Sequence, residues 1–162
     1  MGDRQVTILG IDPGIANLGW GVLRGPFVWH GCITNVNVTD QRPAALNRTR
    51  HLLIELFKRY SPMIVALEDT FLTANSAMKP IVMAQGIVEE LAYEFGCRLV
   101  ITAPKVMKGG VTGLSQKSYS TKDMKFAVSN QLGIPIKSLK TPHETDALGH
   151  AIYVQRMEAM NG

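Results

Sequence analysis

Three acidic residues stand where a carboxylate is costly to place. Asp12 closes one apolar segment, Glu68 closes a second, and Asp146 lies in a helical segment near the end of the chain. A carboxylate at the end of a buried strand loses its hydration unless a cation compensates its charge. The carboxyl ends of neighbouring strands are also where open α/β sheets place their sites. These positions predict a cluster of carboxylates that holds cations.

Carboxylates that converge repel one another, and divalent cations bound together with substrate phosphate relieve the repulsion. Two such ions about 3.5–4 Å apart are the common arrangement for phosphodiester hydrolysis, because one activates the attacking water and the other stabilises the leaving oxygen. Each acid also has a local explanation. Asp12 fits a turn before Pro13, and Glu68 fits a strand end whose side chain reaches solvent. Asp146 fits a position where its charge complements the helix dipole.

A histidine shares the helix face of the third acid. His143 and Asp146 are spaced i, i+3, and His150 continues the same face four residues further on. Glu144 is rotated away and stands three residues after Thr141, the spacing of a capping box, so we interpret Glu144 as structural. His143 is interpreted as a nitrogen ligand or as the group that acts on the attacking water. The alternative is an ordinary residue of the first helical turn.

The elements that position these residues can be predicted from the hydrophobic periodicity. Three strands form an antiparallel meander, and two nearly all-apolar runs indicate strands buried on both faces. The predicted strands are Val6–Ile11, Gly19–Leu23, Phe27–Ile33, Met63–Glu68 and Arg98–Thr102. This order predicts an α/β protein with a mixed five-stranded sheet and helices on both faces.

Capping residues and helix breakers delimit the helices. Asp40 caps a helix that is entered through Pro43, and Gly109-Gly110 breaks a short one. The predicted helices run from Pro43 to Tyr60, Lys79–Phe95, Ala103–Gly110, from the Ser120 cap to Leu132, and from the Thr141 cap to about Met157.

The basic charge is concentrated in one part of the chain. The chain has 17 Lys and Arg against 13 Asp and Glu, but residues 102–142 alone hold seven lysines and one aspartate. This segment predicts contact with a polyanion, and a solvated lysine-rich surface is the alternative. Lys105, Lys117 and Lys125 are interpreted as sources of general phosphate affinity.

Several classes of protein are not expected. No apolar run approaches the roughly 20 residues of a membrane helix, and the N-terminal residues lack the pattern of a signal peptide. Cys32 and Cys97 are far apart and are interpreted as buried thiols that cannot build a zinc site. We expect a cytoplasmic protein that forms a single domain over residues 1–162, without a membrane partner.

Six segments resemble, in order and with compatible spacing, the motifs of the RuvC family of Holliday-junction resolvases. They are Gly10–Gly14, Asn17–Val22, Ala66–Phe71, Lys108–Gly113, Ser120–Lys122 and His143–Leu148. Asn75 and the helix Ile81–Glu94 also follow as in that family. The short Gly-Ile-Asp-x-Gly element at residue 10 is shared with sugar kinases and actin-like ATPases, so the later motifs carry the specificity.

The resemblance implies a ribonuclease H-like fold and a homodimeric crossover junction endodeoxyribonuclease that uses Mg²⁺, with two ions per site. It implies that Asp12, Glu68 and Asp146 are family acids and that His143 replaces the fourth aspartate of most members. Because imidazole suits Mn²⁺ better than Mg²⁺, we expect Mn²⁺ to substitute. Branch-migration proteins are possible accessory partners.

The resemblance also implies a DNA-binding set. Lys108 and Lys122 would contact the region of the scissile phosphate, and Phe71 would stack on an unpaired base at the junction centre. Asn75 joins this set as a DNA-binding residue. The apolar excess of the helix Lys79–Phe95 would form the dimer interface.

Other functions compete with junction resolution. A relaxed nuclease for branches and flaps keeps the chemistry and changes the substrate. A non-catalytic junction- or RNA-binding module on the same fold would not need all three acids, and a related family that processes ribosomal RNA would not account for Phe71. Half of an actin-like or sugar-kinase ATPase is disfavoured because the chain is too short for two lobes.

Overall fold

The structure is a computed structural model of the chain, and it describes residues 5–70, 79–115 and 118–161. Phe71, Asn75 and Lys117 lie outside the described residues. The strands are β1 (Thr7–Asp12), β2 (Asn17–Arg24), β3 (Phe27–Thr34), β4 (Ile64–Glu68) and β5 (Arg98–Thr102). The α-helices are α1 (Arg42–Tyr60), α2 (Lys79–Glu94), α3 (Pro104–Thr112), α4 (Thr121–Leu132) and α5 (Pro142–Asn161).

The five strands form one mixed sheet in the order β3-β2-β1-β4-β5. Strands β1, β2 and β3 pair antiparallel as a meander, whereas β4 pairs parallel with β1 and β5 parallel with β4. The carboxyl ends of β1, β4 and β5 consequently lie side by side at one edge of the sheet. The meander and the buried strand β4 are as the hydrophobic pattern predicts. The prediction that β5 is also buried on both faces is wrong, because β5 lies at the end of the sheet and Ile101 is 45% exposed.

Alternation along the strands divides the core between the two faces of the sheet. On β1, Leu9 and Ile11 point into a cluster that includes Leu53 of α1 and Leu91 of α2. Ile8 points to the opposite face, where helices α3, α4 and α5 pack. Asp12 has the same parity as Ile8, so its carboxylate emerges on the side of α5.

Helix α5 lies unusually close to the sheet because glycines face it. A Cβ atom on Gly10 would come within 2.0 Å of the Ala147 carbonyl oxygen, and one on Gly19 within 2.0 Å of the His143 carbonyl oxygen. A Cβ on Gly21 would overlap the Leu148 side chain. The first turns of α5 therefore rest directly on the backbone of β1 and β2.

A buried amide fixes the loop that follows β1. The Asn35 side chain donates one hydrogen bond to the Ile15 carbonyl at 2.8 Å and another to the Thr49 hydroxyl of α1 at 2.9 Å. Asn35 and Thr49 are both buried. These bonds tie the loop after Asp12 to the helix on the opposite face.

Three predicted helix limits are wrong. Helix α1 begins at Arg42 behind Gln41, so Asp40 is one residue too early to cap it. Helix α3 continues through Gly109-Gly110 to Thr112 and ends at Gly113, which has a φ of 70°. The glycine at 110 serves close packing instead of breaking the helix, since a Cβ there would lie 2.7 Å from the Tyr153 ring.

Helix α5 extends to Asn161, beyond the predicted end near Met157. The two thiols are free, as predicted, but Cys32 and Cys97 are each half-buried and not fully buried. No helix among the described residues combines the length and the apolar character needed to cross a membrane.

Replacing Gly10 with alanine should force α5 away from the sheet. We expect Gly10→Ala to lower the free energy of unfolding by about 1–3 kcal/mol, the usual cost of overpacking a core. Gly86→Ala is the control, because Gly86 lies in α2 with nothing within 4 Å of an added Cβ. That variant should be neutral or stabilising by up to ~1 kcal/mol. Denaturant unfolding measures both, and a Gly10→Ala variant as stable as the parent would contradict the close contact.

Candidate active site

The strand register places two acids and a threonine in a row. Gly10 pairs with Ala66 and Ile11 with Leu67, so the next residues, Asp12 and Glu68, are neighbours. Glu68 in turn pairs with Thr102, the last residue of β5. Parallel partners in register point to the same face. All three side chains therefore emerge beneath α5 at the carboxyl edge of the sheet.

The start of α5 is fixed by a reciprocal capping box. The Glu144 carboxylate accepts a hydrogen bond from the Thr141 backbone N–H at 2.6 Å, and the Thr141 hydroxyl accepts one from the Glu144 N–H at 3.2 Å. Glu144 is 3% exposed and its second carboxylate oxygen lies 2.8 Å from Nδ1 of His30. The structural interpretation of Glu144 agrees with this geometry.

Asp146, one turn into α5, completes a cluster with the strand-end acids. Asp12, Glu68 and Asp146 each offer a carboxylate oxygen, and these oxygens lie within 4.8 Å of one another. The three side chains are 15–20% exposed, so each remains accessible to solvent. Asp12 and Glu68 line a cleft together with Pro13, Asn17, Thr70, Pro80, Pro104 and His143, among others.

Each of the three acids has a different basic partner. Asp12 Oδ2 lies 2.8 Å from His143 Nδ1, and Asp146 Oδ2 lies 2.8 Å from Lys108 Nζ. Glu68 Oε2 lies 3.4 Å from Nε2 of His150. Each acid therefore faces a basic side chain from α3 or α5.

Burial and repulsion act most strongly on Asp12. Burial, together with the charges of Glu68 and Asp146, raises the pKa of Asp12 to about 6, against the hydrogen bond from His143. The same hydrogen bond raises the pKa of His143 above its ordinary value, despite the opposing effect of partial burial. The pair shares a proton over the range in which both groups titrate.

Glu68 differs from Asp12 in the sign of its shift. Burial acts to raise the pKa of Glu68, but the hydrogen bond and charge of His150, a hydrogen bond with Asp12 and the charge of Lys108 outweigh it. The pKa of Glu68 is therefore lowered. Glu68 therefore stays ionised more readily than Asp12 does.

The donor set fits a hard divalent cation. Three carboxylates from three separate elements supply only oxygen, the ligand type that Mg²⁺ and Mn²⁺ prefer. Burial is the main cause of the raised pKa of Asp12, and the charges of Glu68 and Asp146 add to it. A bound cation would offset both effects. His143 does not belong to this convergent set: its Nδ1 contacts Asp12, and its Nε2 is the nitrogen left for a cation or for the attacking water.

The predicted lysines divide into two groups. Lys108 lies in the site, with its side chain 24% exposed beside Asp146. Lys122 lines a separate groove between α3 and α4 together with Phe126, and so is not brought to the acids. Lys105 is exposed on α3 and Lys125 half-buried on α4.

Two residues next to the acids were missed as site residues. His150 is fully buried against Glu68, and its Nδ1 lies 2.7 Å from the Thr102 hydroxyl. The i, i+4 spacing from Asp146 is the signal that could have assigned His150. Thr102 could have been found from its position at the end of the strand that neighbours Glu68.

The raised pKa of Asp12 has a consequence for stability without metal. Because the folded state binds this proton more tightly, the free energy of unfolding should fall as pH rises from about 4 through 6. The raised pKa of His143 acts in the same direction toward higher pH. We expect Asp12→Asn to melt higher than the parent at pH 8 in EDTA and to show a smaller decline between pH 5 and pH 8.

Thermal melting at the two pH values measures this difference, with Asp40→Asn, an exposed acid outside the site, as the control. Added Mn²⁺ should then stabilise the parent and not Asp12→Asn. A lower melting temperature for Asp12→Asn at pH 8 would contradict the electrostatic account of the cluster.

Comparisons with known proteins agree with this architecture. The model of the family described as "Crossover junction endodeoxyribonuclease RuvC" matches residues 8–154. The RuvC of Rubrobacter xylanophilus is 32% identical over 98% of this chain and 91% of its own length, and that of Treponema denticola is 32% identical over 90% and 83%. The structure titled "T. thermophilus RuvC in complex with Holliday junction substrate" superposes with a TM-score of 0.83 at 22% identity, covering 96% of each chain, which confirms the ribonuclease H-like fold. The chain thus belongs to the RuvC family of crossover junction endodeoxyribonucleases.

Proposed function

We propose that this protein is a metal-dependent endonuclease that resolves four-way DNA junctions by paired, symmetric hydrolysis of phosphodiester bonds. The observation that carries the proposal is the convergence of Asp12, Glu68 and Asp146 at one edge of the sheet. A chain that only bound junctions would have no need of these three half-buried, mutually repelling acids. The T. thermophilus relative with the same fold binds a Holliday junction substrate, which supports the choice of DNA.

The three carboxylates would hold the divalent ions. When bound, such ions lower the pKa of the attacking water and stabilise the charge that develops on the phosphate. The protein's part is to fix the carboxylates before substrate arrives, since α5 and the strand ends are both parts of the packed core. Preorganised charge of this kind is the main source of catalysis in phosphoryl transfer.

His143 is assigned a role through its tautomer. An ionised Asp12 only accepts hydrogen bonds, so His143 Nδ1 carries the proton in their 2.8 Å contact. The lone pair of the neutral ring then lies on Nε2. That atom is the one that would bind a cation or accept the proton of the attacking water.

Lys108 supplies positive charge inside the acid cluster. Its ammonium lies 2.8 Å from Asp146, so it stands at the site of reaction and not only on the basic surface. We assign it to the stabilisation of charge on the scissile phosphate. Lys105, Lys117, Lys122 and Lys125 would hold the flanking backbone, and Phe71 and Asn75 would contact the junction centre.

A homodimer would account for symmetric cutting, because a four-way junction offers two equivalent strands. Helix α2 presents the apolar side chains that such an interface needs. Met83 in α2 and Phe95, directly after its end, are each more than a third exposed. We also propose that residues 1–162 act as one nuclease domain in the cytoplasm. Branch-migration proteins remain possible accessory partners.

The proposal is tested with three synthetic DNA substrates. A four-way junction, a flap and a linear duplex are incubated with the protein and Mg²⁺ or Mn²⁺, beside Asp12→Asn. We expect paired symmetric cuts on the junction, at least 100-fold slower in the variant, as for the loss of an electrostatic catalytic group. Equal cutting of all substrates would favour a relaxed branch nuclease, and binding without cutting would favour a non-catalytic module.

The choice of ion is tested through His143. Because imidazole suits Mn²⁺ and carboxylate suits Mg²⁺, we expect Mn²⁺ to support cleavage at least as well as Mg²⁺ in the parent. His143→Asp should shift the ratio of Mn²⁺ to Mg²⁺ rates toward Mg²⁺. His51→Asp, at an exposed position on α1, should leave the ratio unchanged. Strong cleavage in Mg²⁺ with none in Mn²⁺ would contradict this assignment.

A further inference from the structure

One buried histidine next to the site has no part in the reaction as described so far. His150 lies on α5, one turn after Asp146, and its side chain has no exposed surface. From its contacts we infer that His150 is a positioning residue: it holds the Glu68 carboxylate in the orientation that binds the cation. The inference rests on the proposed function, and it adds a residue that acts through Glu68.

The hydrogen bonds determine which nitrogen carries the proton. The Glu68 carboxylate accepts hydrogen bonds, so His150 Nε2 donates across the 3.4 Å contact. With the proton on Nε2, Nδ1 is the acceptor, and the Thr102 hydroxyl at 2.7 Å donates to it. The result is a directed chain, Thr102 to His150 to Glu68, in which each donor has one acceptor.

The surroundings argue that the ring is there for its hydrogen bonds. Its neighbours on the same helix, Leu148, Ala151 and Ile152, belong to the apolar core between α5 and the sheet. An apolar side chain would pack in such a position without a partner, whereas an imidazole must find one for each nitrogen or lose free energy. Both nitrogens of His150 have found partners, and one of these is the central acid.

The arrangement fixes the direction of Glu68. With Oε2 engaged by His150, the carboxylate cannot turn freely, and Oε1 is the oxygen left for a cation. Asp12 and Asp146 are held by partners nearer the surface. His143, which contacts Asp12, is 39% exposed, and Lys108, which contacts Asp146, is 24% exposed. Among the described residues, Glu68 is the only one of the three acids whose basic partner is fully buried.

The test uses amide side chains that replace one ring nitrogen at a time. In His150→Gln the amide nitrogen takes the place of Nε2, so the donor to Glu68 is kept. In His150→Asn the amide reaches only the position of Nδ1, and His150→Leu keeps the volume with no polar atom. Thr102→Val removes the hydroxyl that fixes the tautomer and keeps the branched shape.

The readout is the dissociation constant for Mn²⁺ alone, measured by calorimetry without DNA, together with melting temperature. We expect His150→Leu and His150→Asn to bind Mn²⁺ about 10- to 100-fold more weakly, the usual effect of losing a partner of a metal ligand. His150→Gln should recover most of the affinity. Val154→Ala is the control, since Val154 is buried in the same core of α5 without a contact to the acids. It should melt lower and bind Mn²⁺ as the parent does.

Several outcomes would overturn the inference. A folded His150→Leu that binds Mn²⁺ like the parent would do so, as would a folded Gln variant as weak as the Leu variant. Equal losses in Val154→Ala would mean that core stability alone is measured. If His150→Leu does not fold, Thr102→Val decides: a weaker Mn²⁺ affinity supports the chain of hydrogen bonds and an unchanged one refutes it.

The proposed function can be refuted independently of this inference. A parent protein that binds Mn²⁺ and cuts no junction would remove the function and leave the positioning of Glu68 standing. A parent that cuts junctions, with His150 variants of normal Mn²⁺ affinity, would remove only this inference.

Discussion

Mutual repulsion among three carboxylates is the constraint on which the site depends. Oxygens of Asp12, Glu68 and Asp146 lie within 4.8 Å of one another and are largely withdrawn from water. Coulomb energies at such distances are large unless opposite charge is present. Two imidazoles and one ammonium contact the acids, yet burial, together with the charges of Glu68 and Asp146, still raises the pKa of Asp12. A fold that holds the three acids this close together therefore favours the binding of divalent cations.

The repulsive cluster persists because its positions are set by the packing of the core. Helix α5 sits on bare backbone at Gly10 and Gly19, and the strand register aligns Asp12 with Glu68. The helix cannot move away to separate the acids without losing the contacts of its apolar face. Helix α5 therefore both stabilises the core and holds Asp146 close to the two other acids. Function and stability commonly compete at such sites.

Much of this could be predicted from the sequence, because the signals were local. Strand alternation and the all-apolar runs predicted the five strands and the positions of Asp12 and Glu68 at strand ends, and the Thr141 capping box predicted the start of α5. The continuation of α3 beyond Gly110 to Thr112 was missed, since Gly110 packs against Tyr153, 43 residues further along the chain, and this contact outweighs the low helix propensity of glycine. The pairing of His150 with Glu68 and Thr102 was missed for the same kind of reason. It depends on strand register and on the approach of α5, and neither is encoded in any one segment.

The most direct test of the central claim is to locate the cation. Anomalous diffraction from crystals soaked in Mn²⁺, collected with the parent and with Asp12→Asn, reports the position of the bound ion independently of any activity. The account predicts an anomalous peak between the carboxylates of Asp12, Glu68 and Asp146 that is lost or much weakened in the variant. A peak elsewhere in the parent, with no density among the three acids at saturating Mn²⁺, would contradict it.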